Sequence, residues 1–401
     1  MGKIIYLDNN ATSKVDEKVF EAMVPYFKEE YANPSSMYDF AKRSSNAIKE
    51  ARVKVRDFIN ASNEKEIYFT SCGTESANTA IRGVLDMNKD KRHIITTKVE
   101  HPCVLNVYKM YEKLGYKVDY IGVNSNGELD LEQLSESINN DTALVSIMYA
   151  NNETGVINPI KKISEIIKTK NPNTKFYVDA VQAAGKIPID VQDLGVDMMG
   201  ISGHKFHAPK GVGALYVNSK TVISPLMIGG HQERGKRAGT ENVPYIVGIG
   251  QACELAAENM EYELTEVKRL RDKLENGILK NVFNARLNTG IANRVPNTSN
   301  IGFEYVEGEL ILLHLSDLGI CASSGSACTS GSLEPSHVLR AMNVPFTAIH
   351  GSIRFSLSRY TTEDDIDYVI SVIPDVIKKI RDLSPYQDEL AELKRRKLAN
   401  I

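Results

Sequence analysis

The sequence predicts an α/β protein: a mainly parallel seven-stranded sheet covered by helices on both faces, followed by a smaller α/β unit. Seven short apolar runs carry the first part of this reading, at residues 67–70, 94–97, 118–121, 144–148, 176–179, 198–201 and 213–217. Between them, segments such as 76–90, 102–114 and 159–170 place apolar residues at helical spacing. Strands that alternate with helices in this way form parallel sheets whose crossovers lie on the sheet faces. Length agrees, because 401 residues of 42% hydrophobic and 25% charged composition suffice for a large core and two domains.

The elements follow in order. The start, Met1 to Asp8, lacks the long apolar region and small-residue cleavage site of a signal peptide, and Tyr6 stands where a myristoylation motif needs Ser or Thr. The βα repetition then occupies the chain to residue 217. After about residue 243 the texture changes to a long helical stretch reaching roughly Lys280, rich in Glu, Lys and Leu and suited to bridging two domains. The smaller unit would hold a strand at 298–305, a helix at 309–318, a strand at 353–357 and a last helix from 363 to about 381. The expected division is a large domain over 15–255 and a small one built from 1–14 with 256–401.

Composition excludes several classes. With 48 basic and 51 acidic residues the net charge is -3, and no basic block suggests nucleic acid or an anionic membrane surface as partner. No span is long and apolar enough to cross a membrane. The five cysteines form a scattered, odd set without a Cys-x-x-Cys, which argues against a disulfide framework or a zinc ribbon. A reducing cytoplasm is the expected compartment.

One cysteine stands apart. Cys328 lies in a run of Ser, Gly, Ala and Thr that is too small and polar for a core and too permissive for a rigid element. The expectation is a reactive thiol on a swinging loop, able to attack and to carry a group.

Other chemistry falls at predicted strand ends, where ligands bind in such sheets. Lys205, in Ser202-Gly-His-Lys205, offers an amine for a Schiff base, with Ser202 and His204 suited to a phosphate; alone, such a lysine is most often a solvated surface residue. Asp179 follows Phe-Tyr-Val and would aim a carboxylate into a site, where it could hold a ring nitrogen protonated; the plain alternative is a helix N-cap. The segment from Thr70 through Gly73 and Thr74 to Ser76 resembles a phosphate cradle before a helix, or else simple capping. His101 could stack on a planar group and move protons near neutral pH, with a structural role equally open. Arg354 sits within a predicted strand, where a guanidinium wants a carboxylate, either a ligand's or that of a structural ion pair.

Two tempting patterns fail. Residues 230–236 match the spacing of a Walker A loop, but Arg237 replaces the hydroxyl residue that would bind magnesium. His204 and His207 could be half of a metal site, yet no further pair at ligand spacing accompanies them.

Together, the motifs Tyr6-Leu-Asp-Asn-Asn-Ala-Thr12, Asn33-Pro-Ser-Ser36, Ser71-Cys-Gly-Thr-Glu-Ser76, Glu100-His-Pro102 and Ala150-Asn-Asn-Glu-Thr-Gly155 carry a family resemblance over nearly the whole chain. Asp179-Ala-Val-Gln182, Ser202-Gly-His-Lys205, Arg237-Ala-Gly-Thr240 and Ser323-Ser-Gly-Ser-Ala-Cys-Thr-Ser330 extend it in order. The chain resembles the pyridoxal-phosphate-dependent cysteine desulfurases, most closely the nitrogen-fixation type (NifS), with the housekeeping type (IscS) a near relation.

The resemblance implies a PLP-dependent transferase fold of type I, as in aspartate aminotransferase, and a homodimer. It implies pyridoxal 5'-phosphate held as a Schiff base on Lys205, with Asp179 on the ring nitrogen and His101 stacked over the ring. Gln182 and Asn152 would bind near the phenolic oxygen. Gly73, Thr74, Ser202, Gly203 and His204 would hold the phosphate, reached by Thr240 from the neighbouring subunit. Arg354 would clamp the carboxylate of L-cysteine, assisted by Asn152 or Asn33. Cys328 thiolate would take the substrate sulfur, leaving alanine and a persulfide for an iron-sulfur scaffold protein of the NifU or IscU kind, and through that persulfide would ligate iron of a nascent cluster.

Departures from the family are few. Tyr38 and Ala41 stand where it often has His and Gly, outside the chemical groups. Selenocysteine lyases and decarboxylating relatives share the cofactor site, but the long Ser/Gly loop around Cys328 argues for a desulfurase. A non-catalytic sulfur carrier or cluster scaffold is the rival from another class, and the absence of paired cysteines counts against it.

Overall fold

The computed structural model describes residues 3–324 and 335–387, with 389, 392 and 395 beyond them; Cys328 lies outside the described residues. After the short strand β1 (Ile5–Tyr6), a large sheet is built from β2 (Ile67–Thr70), β3 (His93–Thr97), β4 (Lys117–Ile121), β5 (Thr142–Met148), β6 (Lys175–Asp179), β7 (Met198–Ser202) and β8 (Gly213–Val217). All seven apolar runs of the sequence are therefore strands. Their order is β2-β8-β7-β6-β5-β3-β4. From β4 to β7 every pairing is parallel, while β8 runs antiparallel to both β7 and β2. The reversal has a local cause: residues 203–212 hold only a 3-10 turn, and a parallel return needs a longer crossover, usually with a helix.

Alternate residues of these strands face different cores. Ile95, Val145, Val178 and Met199 join one apolar cluster, whereas Ile94, Leu144, Tyr177 and Met198 join another on the opposite face. The first face is covered by helices Asp39–Phe58, Ile160–Lys170 and Val243–Glu258, the second by Gly73–Met87 and Pro102–Lys113. Burial on both sides explains why β5 reads as a continuous buried run and not as an alternation. Helix Asp39–Phe58, not singled out in the sequence, packs so closely on Val243–Glu258 that a Cβ at Gly250 would lie 2.7 Å from Ala51 Cα.

The smaller sheet is antiparallel, with β9 (Ala285–Leu287), β10 (Thr298–Phe303), β12 (Ser323–Ser324) and β13 (Ser352–Ser356) in the order β12-β13-β10-β9. β11 (Ile320–Cys321) pairs in parallel with β1. A third apolar cluster lies here, made from Ile5, Leu7 and residues between Val267 and Ile380. The final helix, Glu363–Asp382, begins with a capping box between Thr362 and Asp365.

The long helical stretch expected from Val243 to about Lys280 is present, but not as one continuous helix. The path from Val243 breaks after Glu258, passes Met260–Tyr262 and a π-helical turn at Glu263–Val267, and resumes as Lys268–Asn281. At the break, Asn259 has φ -95° and ψ 6°, and its side chain donates to Leu255 O at 2.7 Å. Such side-chain bonding competes with the helical ladder. The two halves also serve different cores, Ile246, Ile249 and Leu255 in one and Leu270, Leu274 and Ile278 in the other.

Candidate active site

A cavity of about 370 Å³ opens at the carboxyl ends of the parallel strands, the position expected of a ligand site in such a sheet. Asp179 ends β6 and Ser202 ends β7, while His101 and Asn152 follow β3 and β5. Gly73 and Thr74 enter from a helix start, and Arg354 enters from β13 of the smaller sheet. Gln182, His204 and Lys205 complete the predicted residues that line it.

Lys205 ends the 3-10 turn Gly203–Lys205, directly after β7. Its Nζ donates to the carbonyls of Asn10 at 2.6 Å and Ala11 at 2.7 Å. Those carbonyls belong to the Asp8–Thr12 segment, which tertiary folding lays against the turn. Beside it, His204 Nδ1 lies 3.1 Å from Thr12 Oγ1, and burial holds this imidazole down to about 4, so it is neutral. Gly203 is buried, is not part of the lining, and donates its N–H to Val212 O at 3.0 Å.

Asp179 serves both readings of its sequence position. One carboxylate oxygen accepts from Val181 N–H at 3.0 Å, as a cap would, and the other faces the Cys103 thiol at 3.9 Å. Burial raises its pKa, opposed by the Val181 N–H and by His101 and Lys205, so the carboxylate gains from a cationic N–H partner. His101 is the N-cap of helix Pro102–Lys113, and its Nδ1 accepts from Cys103 N–H at 3.2 Å. Burial lowers its pKa, so the neutral ring carries its proton on Nε2. The half-buried Cys103 thiol is pushed far up by desolvation and then by Asp179, which disfavours its thiolate.

Anion-binding groups gather on the other side. Cys72 is the N-cap of helix Gly73–Met87 and makes no side-chain cap bond, leaving this helix start to a ligand. A Cβ on Gly73 would lie 2.7 Å from Val181 Cγ2 and 3.5 Å from Ser202 Cβ, so only glycine leaves the cradle open. Ser202 Oγ is buried without a hydrogen-bond partner among the described residues. Glu75 turns back to accept Ser71 N–H at 2.8 Å and is paired with Arg237 at 2.9 Å.

Arg354 is buried, with Nη1 donating to Asn152 O at 3.0 Å and Nη2 to Asp8 Oδ1 at 2.7 Å. The carboxylate that the strand position wanted is thus partly supplied by Asp8. Its Nε is buried without a partner among the described residues, and each Nη keeps a second hydrogen, so donors remain for an incoming anion.

A profile of the family described as aminotransferase class-V matches residues 5–369. The chain belongs to this family. Its α/β architecture is accordingly the aspartate-aminotransferase-like transferase fold of type I. Among class-V relatives, a cysteine desulfurase of a Nostoc species is 56% identical over 388 residues, covering 97% of this chain and 96% of the relative. Cysteine desulfurase NifS of Azotobacter vinelandii is 51% identical over 382 residues, covering 95% and 94%. A solved structure described as a NifS-like protein matches with a TM-score of 0.89 at 40% identity, covering 94% of this chain and 100% of that one.

Among the described residues, three of those expected in this class-V site do not line the cavity, Gly203, Asn33 and Thr240. Asn33 is exposed and caps its own turn, accepting Ser35 N–H at 3.0 Å, and Thr240 is exposed. Sequence reasoning missed Asn10, Lys186 and Glu153. Asn10 sits within the Tyr6–Thr12 motif, and Lys186 stands four residues after Gln182, so spacing was the available signal. Glu153 is buried and pushed up to about 7 by desolvation, and it accepts from Ser336 Oγ at 2.5 Å. Ser336 caps His337–Ala341, the first helix after the segment containing Cys328, while Ser323 and Ser324 before that segment line the cavity.

Proposed function

We propose that this class-V aminotransferase is a cysteine desulfurase that uses pyridoxal 5'-phosphate to take sulfur from L-cysteine, releasing L-alanine and leaving a persulfide on Cys328. The observation that carries the reading is the convergence of Lys205, Asp179, His101 and Arg354, from separate chain segments, on one cavity. The names and full-length identity of the relatives support it.

The residues present fit the cofactor. Ser202 Oγ is an orphaned buried hydroxyl beside an uncapped helix start, suited to a phosphate. Asp179, buried and short of a cation, suits a protonated ring nitrogen. Lys205 would hold the aldehyde, His101 would stack on the ring, and Gln182 and Asn152 would lie near the phenolic oxygen. When bound, the group supplies an electron sink for bonds broken at the substrate Cα. Lys205 Nζ then takes and returns the Cα proton. The Arg354 guanidinium holds the substrate carboxylate, and His101 has a proton to give on Nε2. Cys328 thiolate attacks the substrate sulfur: the new S–S bond forms as the C–S bond breaks, and the carbon is protonated to alanine.

The same reading takes in a homodimer, in which Thr240 would reach the neighbouring subunit's phosphate and Asn33 would assist at the substrate. The sulfur acceptor would be an iron-sulfur scaffold protein in the cytoplasm, with the Cys328 persulfide as a transient iron ligand. Separate apolar cores support a large domain over 15–255 and a small one from 1–14 and 256–401.

The test uses the purified full chain with pyridoxal 5'-phosphate and L-cysteine. Wild type is expected to be yellow and to release alanine and, with a thiol reductant, sulfide. Lys205→Ala is expected to lose the visible band, and Cys328→Ser to keep it while releasing no sulfide. A wild-type protein that takes up no cofactor sinks the reading. Turnover by Cys328→Ser at the wild-type rate would instead indicate a lyase without a persulfide step.

A further inference from the structure

Lys186 is a lysine at 4% exposure, in the turn that follows β6. Its Nζ donates to Gln182 Oε1 at 2.5 Å and to Asn10 Oδ1 at 3.0 Å. Gln182 in turn donates from Nε2 to Asn10 O at 3.0 Å, the carbonyl that also accepts from Lys205. Asn10 is held from its own other side, donating to Thr298 Oγ1 at 2.8 Å and accepting from Asn297 Nδ2 at 3.1 Å.

An amide side chain has two faces, an acceptor oxygen and a donor nitrogen with two hydrogens. Lys186 occupies the oxygen. Asn10 O occupies one hydrogen of the nitrogen, and Gln182 lines the cavity, so the second hydrogen is the one left for a ligand. We infer that Lys186 is a positioning residue that fixes the Gln182 amide with its N–H side toward the phenolic oxygen of the cofactor. This rests on the proposed use of pyridoxal 5'-phosphate.

Charge supports the geometry. The charged and titratable groups near enough to act on Lys186 are Lys205, Glu263 on the π-helical turn and Arg354 on β13, with His204 and His207 from the Lys205 segment. Burial, then Lys205 and Arg354, hold the Lys186 amine down to about 7, and Glu263 opposes them. Charged or neutral, the amine has hydrogens for both oxygens, so the Gln182 orientation persists on either side of neutrality.

The experiment is a pH titration of the visible absorbance band of the full chain loaded with pyridoxal 5'-phosphate, for wild type, Lys186→Met, Gln182→Leu, the double variant and Lys186→Arg. Loss of an N–H donor at the phenolic oxygen is expected to raise the titration midpoint by about one pH unit in each single variant. The double variant is expected to match the singles, because both remove one interaction, and Lys186→Arg is expected to restore most of the shift. Normal loading with an unshifted Lys186→Met, or shifts that add in the double variant, would overturn the inference; additive shifts would mean that Lys186 acts through its charge alone. If Lys186→Met does not fold, Lys186→Leu, which also carries no donor, takes its place in the same cycle. A wild-type chain that cannot be loaded overturns the proposed function and this inference together.

Discussion

Glu100 precedes His101 yet turns away from the cavity into the core. It is fully buried, and one oxygen accepts from Met148 N–H at 2.7 Å and Thr97 Oγ1 at 3.0 Å while the other has no partner among the described residues. Burial, aided by Asp179, pushes its carboxyl up to about 8, so the folded protein keeps it neutral. The carbonyl of Glu100 also accepts from His337 Nε2 at 2.9 Å, which ties the His101 segment to the helix after the Cys328 region. Between its ordinary value and about 8 the folded state binds more protons than the unfolded state. This group's contribution is therefore fully present at low pH and is lost as pH rises through that window. Glu100→Gln, which keeps the acceptor without the acid, should be close to wild type at pH 5 and gain on it as pH rises. The difference in Tm is expected to widen by about 2 °C or more between pH 6 and 9. A difference independent of pH would show that Glu100 is not protonated in the fold.

At the scale of elements, the start of helix Gly73–Met87 is where packing and chemistry meet. Its first residue is glycine because Val181 and Ser202 close in on the space a side chain would need. Gly73→Ala must displace the Val181 side chain and move the helix start, an overpacking worth roughly 1–3 kcal/mol. Because the filled space is also the mouth of the cradle, ligand affinity should fall as well as stability. The dissociation constant for pyridoxal 5'-phosphate, followed by fluorescence, is expected to rise about tenfold, and the Tm of the cofactor-free protein to fall by a few degrees. Unchanged affinity would remove this helix start from the phosphate site. The β7–β8 connection works in a related way: too short for a crossover, it turns back at once and leaves Lys205 beside the carboxyl ends of β6 and β7.

At the scale of the whole molecule, Asp16 joins chain segments more than three hundred residues apart. It caps helix Glu17–Met23 through Lys18 N–H, and its other oxygen accepts from Arg359 at 2.6 Å and from Tyr360 Oη at 2.5 Å. Burial opposes its ionisation, but Tyr360 and Arg359 outweigh it and hold the carboxyl down to about 2. Its contribution to stability is therefore present above the ordinary Asp value and lost as pH falls toward 2. Asp16→Asn is expected to cost about 2 kcal/mol at pH 7, measured by urea unfolding. The deficit should shrink as pH falls below about 4, and an equal deficit at pH 3 and pH 7 would refute the ion-pair account.

The α/β class and the seven large-sheet strands could be read from periodicity and strand ends, which are local properties, and these with the family motifs gave about half of the cavity lining. Asp179 was legible as the last residue of an apolar run, and Ser202, Lys205 and His101 as residues just beyond such runs. Only the tertiary structure decided what is set by partners distant in the chain. Asp8 meets Arg354 across 346 positions, and Lys186 reaches Asn10 across 176. The bridging helix breaks between two cores that a helical pattern cannot separate. Burial has the same origin: it makes Glu100 a neutral acid and Lys186 a positioning amine, and it comes from segments that periodicity never compares.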